Sequence, residues 1–233
     1  MTLMEIESHS KECPICKGAD FIFIDDVTVR PCKCKIQKLR ESMLRNCGIN
    51  MDEFRSKTFE SFKTDTEEQN NMKFLAERFV REYKPGNSIG FFGRSGTGKT
   101  HICTAIINNL IMARETEFID IEYFAYRTEM DALQNMQRDA REQRLSKFMN
   151  CDILYIDDLF KLLQNKYGDY ETEELRIMFE IINHRYMNKK SIIVSSEYEL
   201  KQIHGIDNAT GGRIYEMLNG NGIGCYGANQ RLK

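Results

Sequence analysis

Gly93-Arg94-Ser95-Gly96-Thr97-Gly98-Lys99-Thr100 fits the pattern G-x-x-x-x-G-K-[ST], a loop built to cradle anionic phosphate oxygens. Its glycines let backbone N–H groups turn inward. Lys99 is placed to reach the β- and γ-phosphates of a nucleotide such as ATP, and the Thr100 hydroxyl to ligate Mg²⁺. A helix begins near Thr100 and His101 and points its positive end at the same anion. Downstream, Ile153-Leu154-Tyr155-Ile156 reads as a buried strand ending in two carboxylates. In a parallel sheet that end lies beside the glycine loop, so Asp157 can hold Mg²⁺ through its water shell and Asp158 can orient or deprotonate an attacking water. A strand followed by an ordinary acidic turn is the plainer account of the pair.

A different chemistry sits near the N-terminus. Cys13-Pro14-Ile15-Cys16 is followed, after fifteen residues, by Cys32-Lys33-Cys34. Two close thiol pairs can complete a tetrahedral Zn²⁺ site; four free thiols are the alternative. The chain has eight cysteines, and half of them fall between Cys13 and Cys34, a clustering that favours metal over a disulfide framework. Cys47 and His9 are spare ligand candidates.

These residues need elements to hold them. Between the cysteine pairs, Phe21–Ile24 and Val27–Val29 flank Asp25-Asp26 as a small hairpin. So short a segment buries little apolar surface, and bound metal would supply the missing stability. A basic helix is expected over 35–45, with either a solvated or a partner-binding face. Residues 46–63 read as a connector whose Phe54, Phe59 and Phe62 tuck onto the next domain. Thr66-Glu67-Glu68-Gln69 is a capping box, and Met72, Leu75, Ala76, Phe79, Val80 and Tyr83 follow as one helical face. The loop strand, Ile89–Phe92, comes next, then a helix carrying Ile102, Ala105, Ile106 and Leu110. A second strand is expected at 117–121 and a helix over 127–149. On that helix Arg138, Arg141, Arg144 and Lys147 make either a solvated face or a contact to a nucleic-acid backbone. Leu175 to Tyr186 reads as a helix and Ser191–Val194 as a strand ending at Ser195-Ser196-Glu197. Gly211-Gly212-Arg213 is expected to open a short helix. The expected organisation is a metal-binding segment and connector over 1–62, and a P-loop α/β domain over 63–233.

The totals exclude some classes. A net charge of −2 rules out a globally basic nucleic-acid binder, so any DNA contact must be local. No apolar run approaches the ~20 residues of a membrane span. The N-terminus lacks the basic start and apolar core of a secretion signal, which predicts a cytoplasmic protein with no membrane partner.

The run Gly93 to Thr100, Ile153 to Lys161, Ile181 to Lys189, the Ser195-Ser196-Glu197 strand end and Gly212 to Met217 together resemble bacterial and phage helicase loaders of the DnaC/DnaI type. The paired cysteines and Thr58-Phe59-Glu60-Ser61-Phe62 resemble that family's phage and prophage members, so the likeness covers nearly the whole chain. It implies an AAA+ ATPase with a parallel sheet flanked by helices, preceded here by a small zinc-binding domain. It also implies ATP-dependent self-association on a hexameric replicative DNA helicase or on DNA, and delivery of that helicase to single-stranded DNA. By position, Ser196 would touch the γ-phosphate or its water. Arg213 matches the arginine that reaches a neighbouring subunit's nucleotide, and Arg231 resembles the sensor 2 arginine. Met217 stands where some relatives carry a second arginine, and Glu197 where many carry Asn. A helper ATPase of insertion-sequence transposition shares these motifs, and an ATP-holding assembly switch with little hydrolysis is a further alternative.

Overall fold

The structure is a computed structural model and describes residues 13–25, 28–36, 38, 51–112, 119–162, 172–227 and 229. Near the N-terminus, β1 (Phe21–Phe23) pairs antiparallel with β2 (Val29–Pro31), with Phe21 opposite Pro31. The expected hairpin is present, but its second strand sits two residues later than the apolar run predicted. Asp25 is the reason: its carboxylate accepts from the Thr28 amide at 2.7 Å and closes the turn around Asp25 and Thr28. Phe23 and Ile24 remain 75% and 62% exposed, so the hairpin has almost no apolar interior, whereas Cys16 and Cys32 are buried. Most of the expected basic helix over 35–45 lies outside the described residues.

The larger unit is a parallel five-stranded sheet in the order β4-β5-β6-β3-β7, made of β3 (Ile89–Gly93), β4 (Ile121–Ala125), β5 (Ile153–Asp157), β6 (Ser191–Ser196) and β7 (Gly222–Cys225). Strands β3, β5 and β6 are buried along their whole length, which explains their near-continuous apolar sequence. Their side chains still alternate. Ile153, Tyr155 and Ile193 enter one core, whereas Leu154, Ile156, Ile192 and Val194 enter the other. The first core is closed by α1 (Met51–Ser56), α2 (Glu67–Glu82) and α3 (Lys99–Met112). The second is closed by α4 (Tyr126–Asn135), α5 (Arg138–Asn150), α6 (Thr172–Met187), α7 (Leu200–Ile206) and α8 (Asn208–Leu218). No helix among the described residues is long and apolar enough to cross a membrane.

Phe54, Phe59 and Phe62 are buried in the first core as expected, although 51–56 is a helix and not plain connector. The capping box of α2 forms between Thr66 and Gln69. Three other expectations need correction. The strand expected at 117–121 runs over 121–125, because Glu122 interrupts its apolar pattern and is tolerated there through Arg144. The single helix expected over 127–149 is two, broken by extended backbone at Met136 and Gln137. Three residues of its basic face are paired with carboxylates: Arg138 with Glu142, Arg141 with Glu173, and Arg144 with Glu122 and Glu129. Finally, α8 opens at Asn208, capped by Asp207 on the Ala209 amide, and carries Gly211 and Gly212 inside it. Gly211 marks a close crossing, since a Cβ there would lie 2.5 Å from the Cα of His204 in α7.

Arg185 fastens the two central strands at their N-terminal ends. It has no exposed surface, and its guanidinium donates to the carbonyls of Phe148, Cys151, Asp152 and Ser191 at 2.7, 3.2, 3.2 and 2.5 Å. Burial pushes its pKa below the ordinary arginine range. Buried acceptors that lose their donor each cost about 1–3 kcal/mol. Arg185→Met is therefore expected to lower stability by at least about 3 kcal/mol, read from the midpoint of urea unfolding, with the transition still cooperative.

Candidate active site

The glycine loop runs from the end of β3 into α3. Gly93, Gly96 and Gly98 take φ values of +122°, +76° and +102°, open to glycine and strained for other residues. A side chain at position 98 would also strike the Phe62 ring at 2.8 Å. The Arg94 amide donates to the Cys225 carbonyl at 2.8 Å and anchors the loop to β7, while the Thr97 hydroxyl closes back on the Arg94 carbonyl at 3.0 Å. Lys99 is 5% exposed and folds over the loop, donating to the Gly93 and Arg94 carbonyls at 2.7 and 2.6 Å. Burial pushes its ammonium below the ordinary lysine range, against the pull of Cys225, Asp158 and Glu197. A buried cation resting on carbonyls, at a helix N-terminus, fits a polyanionic ligand.

Asp157 ends β5 and is nearly buried, yet three hydroxyls hold it. Thr100 and Ser195 donate to Oδ1 at 3.1 and 2.6 Å, and Tyr123 donates to Oδ2 at 3.2 Å. The Thr100 and Asp157 oxygens are thus neighbouring hard donors, the chemistry Mg²⁺ prefers. Asp158 follows in a left-handed conformation with φ +58°, its amide donating to Ser195 Oγ at 3.0 Å. Its carboxylate accepts from Lys161 at 2.7 Å, and Lys161 also reaches Glu197 at 3.3 Å. Burial opposes ionisation of Glu197, but Ser95, Lys161 and Lys99 outweigh it and leave the carboxyl below the usual range. A cleft of about 200 Å³ is lined by Ser95, Gly96, Lys99, Thr100, Asp158 and Glu197.

The remaining sequence-derived candidates divide. His101 lines the cleft, but its Nε2 is also engaged with the Thr58 carbonyl at 3.0 Å and Ser61 Oγ at 3.2 Å, and the Phe62 ring meets it edge-on. Ser196 points elsewhere: its hydroxyl donates to the Leu159 carbonyl at 2.7 Å and accepts from the Tyr198 amide. Ser195, one residue earlier, is the hydroxyl that serves the site. Its place follows from the pairing of Ile156 with Val194, which sets the next residues, Asp157 and Ser195, side by side. Arg213 does not line the cleft. It donates to Asn183 and the Ala209 carbonyl, both at 2.9 Å, and lies over the Phe179 ring. Arg231 lies outside the described residues. Tyr123, Ser195 and Lys161 escaped sequence reasoning; only strand register or a turn could have revealed them.

The four N-terminal thiols converge. All four sulfurs of Cys13, Cys16, Cys32 and Cys34 lie within 4.8 Å of one another, with Cys13–Cys32 at 3.8 Å and Cys16–Cys34 at 3.3 Å. A tetrahedron with Zn–S bonds of about 2.3 Å has sulfur–sulfur edges of about 3.8 Å, so the set fits zinc. Backbone amides of Cys16 and Ile15 push the Cys13 thiol down to about 6. Shared hydrogen bonds, that to Cys16 first, push Cys34 up to about 12. Negative charge on Cys13 opposes ionisation of Cys34, a repulsion that a divalent cation would relieve. Cys47 and His9 lie outside the described residues.

Two outcomes follow from this geometry. Protein purified without chelator should carry one zinc per chain by elemental analysis, and Cys32→Ser should lose it while nucleotide binding stays intact. Ser195→Ala should leave the fold intact by circular dichroism but weaken Mg²⁺-dependent nucleotide binding by about 10-fold, the scale for removing a group that orients a metal ligand.

The Bacterial DnaA ATPase domain family matches residues 54–219. Two Bacillus subtilis proteins are similar along most of the chain. The uncharacterized protein YqaM is 33% identical over 82% of this chain and 62% of its own length. The phage-like element PBSX protein XkdC is 30% identical over 80% of this chain and 70% of its own. The chain thus spans somewhat under two thirds of YqaM. Among solved structures, the DnaC helicase loader superposes with a TM-score of 0.57 at 21% identity, covering 74% of this chain and 97% of that one, which is a likeness of fold. With a glycine cradle, a Thr100–Asp157 pair and a parallel sheet of this order, the chain belongs to the bacterial DnaA ATPase domain family and has the AAA+ fold.

Proposed function

We propose that this protein is an ATP-dependent loader that binds a hexameric replicative DNA helicase and delivers it to single-stranded DNA in a phage or prophage setting, in the cytoplasm. The observation that carries the ATPase reading is the contact of Thr100 with Asp157 beneath the glycine cradle. Support for the loader reading comes from the DnaC-like fold, the phage-element relative and the thiol cluster of the N-terminal segment. Residues 1–62 are assigned to partner binding and 63–233 to the ATPase domain.

In this reading Lys99 leaves the Gly93 and Arg94 carbonyls and donates to the β- and γ-phosphate oxygens. Thr100 and Asp157 would hold Mg²⁺, and when bound it would supply charge neutralisation for the phosphates. Asp158 orients a water for in-line attack on the γ-phosphorus, and the bond to the β-bridging oxygen breaks to release ADP and phosphate. Arg213 acts on the nucleotide of a neighbouring subunit, so turnover is slow until subunits assemble.

Lys99→Ala is expected to abolish ATP binding, and Asp157→Asn to permit binding while crippling hydrolysis; full turnover by either would sink the assignment. Arg213→Ala should leave the monomer's ATP affinity unchanged and reduce assembly-stimulated hydrolysis, by as much as roughly 10³-fold if the charge is fully used. Mixing Arg213→Ala with Lys99→Ala subunits should restore part of the activity that each lacks, and no recovery would count against action across an interface. Affinity capture of the full chain from its host with ATP present should retain a replicative helicase; retention of a transposase in its place would favour the transposition helper.

A further inference from the structure

The carboxylate of Glu197 is an unusual neighbour for a phosphate. It lines the same cleft as Lys99, Ser95 and Asp158, one residue beyond β6, so two acidic side chains, Asp158 and Glu197, line that cleft. A triphosphate brings its most negative end to this place, and two unscreened carboxylates would repel it. Lys99 lies within electrostatic reach of both, and Lys161 pairs with both directly. Lys161 Nζ lies 2.7 Å from Asp158 Oδ2 and 3.3 Å from Glu197 Oε1, and the three side chains are 37%, 29% and 35% exposed. The backbone is arranged for it: Asp158 is left-handed, and the Lys161 amide donates to the Asp158 carbonyl at 2.9 Å, a turn that brings the lysine back over the carboxylate. Surface ion pairs normally do little. This one joins the residues that follow two adjacent strands, at the mouth of the cleft.

We propose that Lys161 is a positioning residue of the phosphate site: its ammonium bridges Asp158 and Glu197, screens Glu197 from the γ-phosphate and keeps Asp158 directed at the attacking water. Lys161 and Glu197 then work as one unit, standing in for a neutral polar side chain at the end of β6. The inference rests on the ATPase reading above, and the measurement separates the two.

Equilibrium titration of the full chain with ATPγS and with ADP, both with Mg²⁺, reads binding without turnover. Lys161→Met should weaken ATPγS by about tenfold or more, the scale of one unscreened like charge. ADP, which lacks the γ-phosphate, should change by less than about twofold. Adding Glu197→Gln to Lys161→Met should recover a clear part of the lost ATPγS affinity, because the repulsion from Glu197 is gone while that from Asp158 remains, and Lys161→Arg should keep it. Equal losses for both nucleotides, or no recovery in the double variant, would overturn the proposal and leave Lys161 a purely structural residue. An unchanged Lys161→Met would overturn it as well. Wild-type protein that binds neither nucleotide would instead sink the ATPase reading. Thermal melts of each variant confirm that folded protein is compared.

Discussion

A nearly buried carboxylate is tolerable only when its oxygens are satisfied, and Asp157 meets that condition with donors from three other elements. Tyr123 comes from β4, Ser195 from β6 and Thr100 from the first turn of α3. The requirement reaches far. It demands that β5 lie between β4 and β6, that all three run parallel, and that β4–β5 and β5–β6 keep their present register. A slip of one residue would turn Asp157 to the opposite face of the sheet and remove its three donors together. The two apolar cores, with alternate residues of β5 in each, are what make such a slip costly.

The segment preceding α2 is a second support of the loop. Phe62 packs against the position of Gly98, and Thr58 and Ser61 hold the His101 ring. Burial pushes the His101 pKa below its ordinary value, with the Thr58 carbonyl opposing. The connector is therefore joined to the nucleotide loop through side chains of α3 as well as through the chain.

Much of this was legible beforehand. The glycine loop, the carboxylate-ended strand and the paired cysteines are local patterns in which residue type dictates chemistry, and the long buried strands betray themselves as apolar runs. What escaped depended on contacts distant in sequence. Glu122 hid a strand because its charge is answered by Arg144, more than twenty residues away. The row of arginines on α5 looked like a free basic face until its carboxylate partners on three other elements came into view. Gly211 and Gly212 read as a helix start because glycine normally interrupts helices, whereas Gly211 serves a close helix crossing. Ser195 and Ser196 cannot be told apart without register, since adjacent strand residues face opposite sides.

The two parts of the chain also differ in what their interiors are made of. The larger unit encloses aromatic and aliphatic side chains, with Cys103, Cys151 and Cys225 dispersed among them. The hairpin encloses sulfur and leaves its phenylalanines in water. A metal ion held by the four N-terminal thiols would stand in for the apolar interior that the hairpin lacks. With a metal bound there, its removal or the oxidation of those four thiols would loosen the N-terminal segment, whereas the apolar contacts that hold the phosphate cradle would remain.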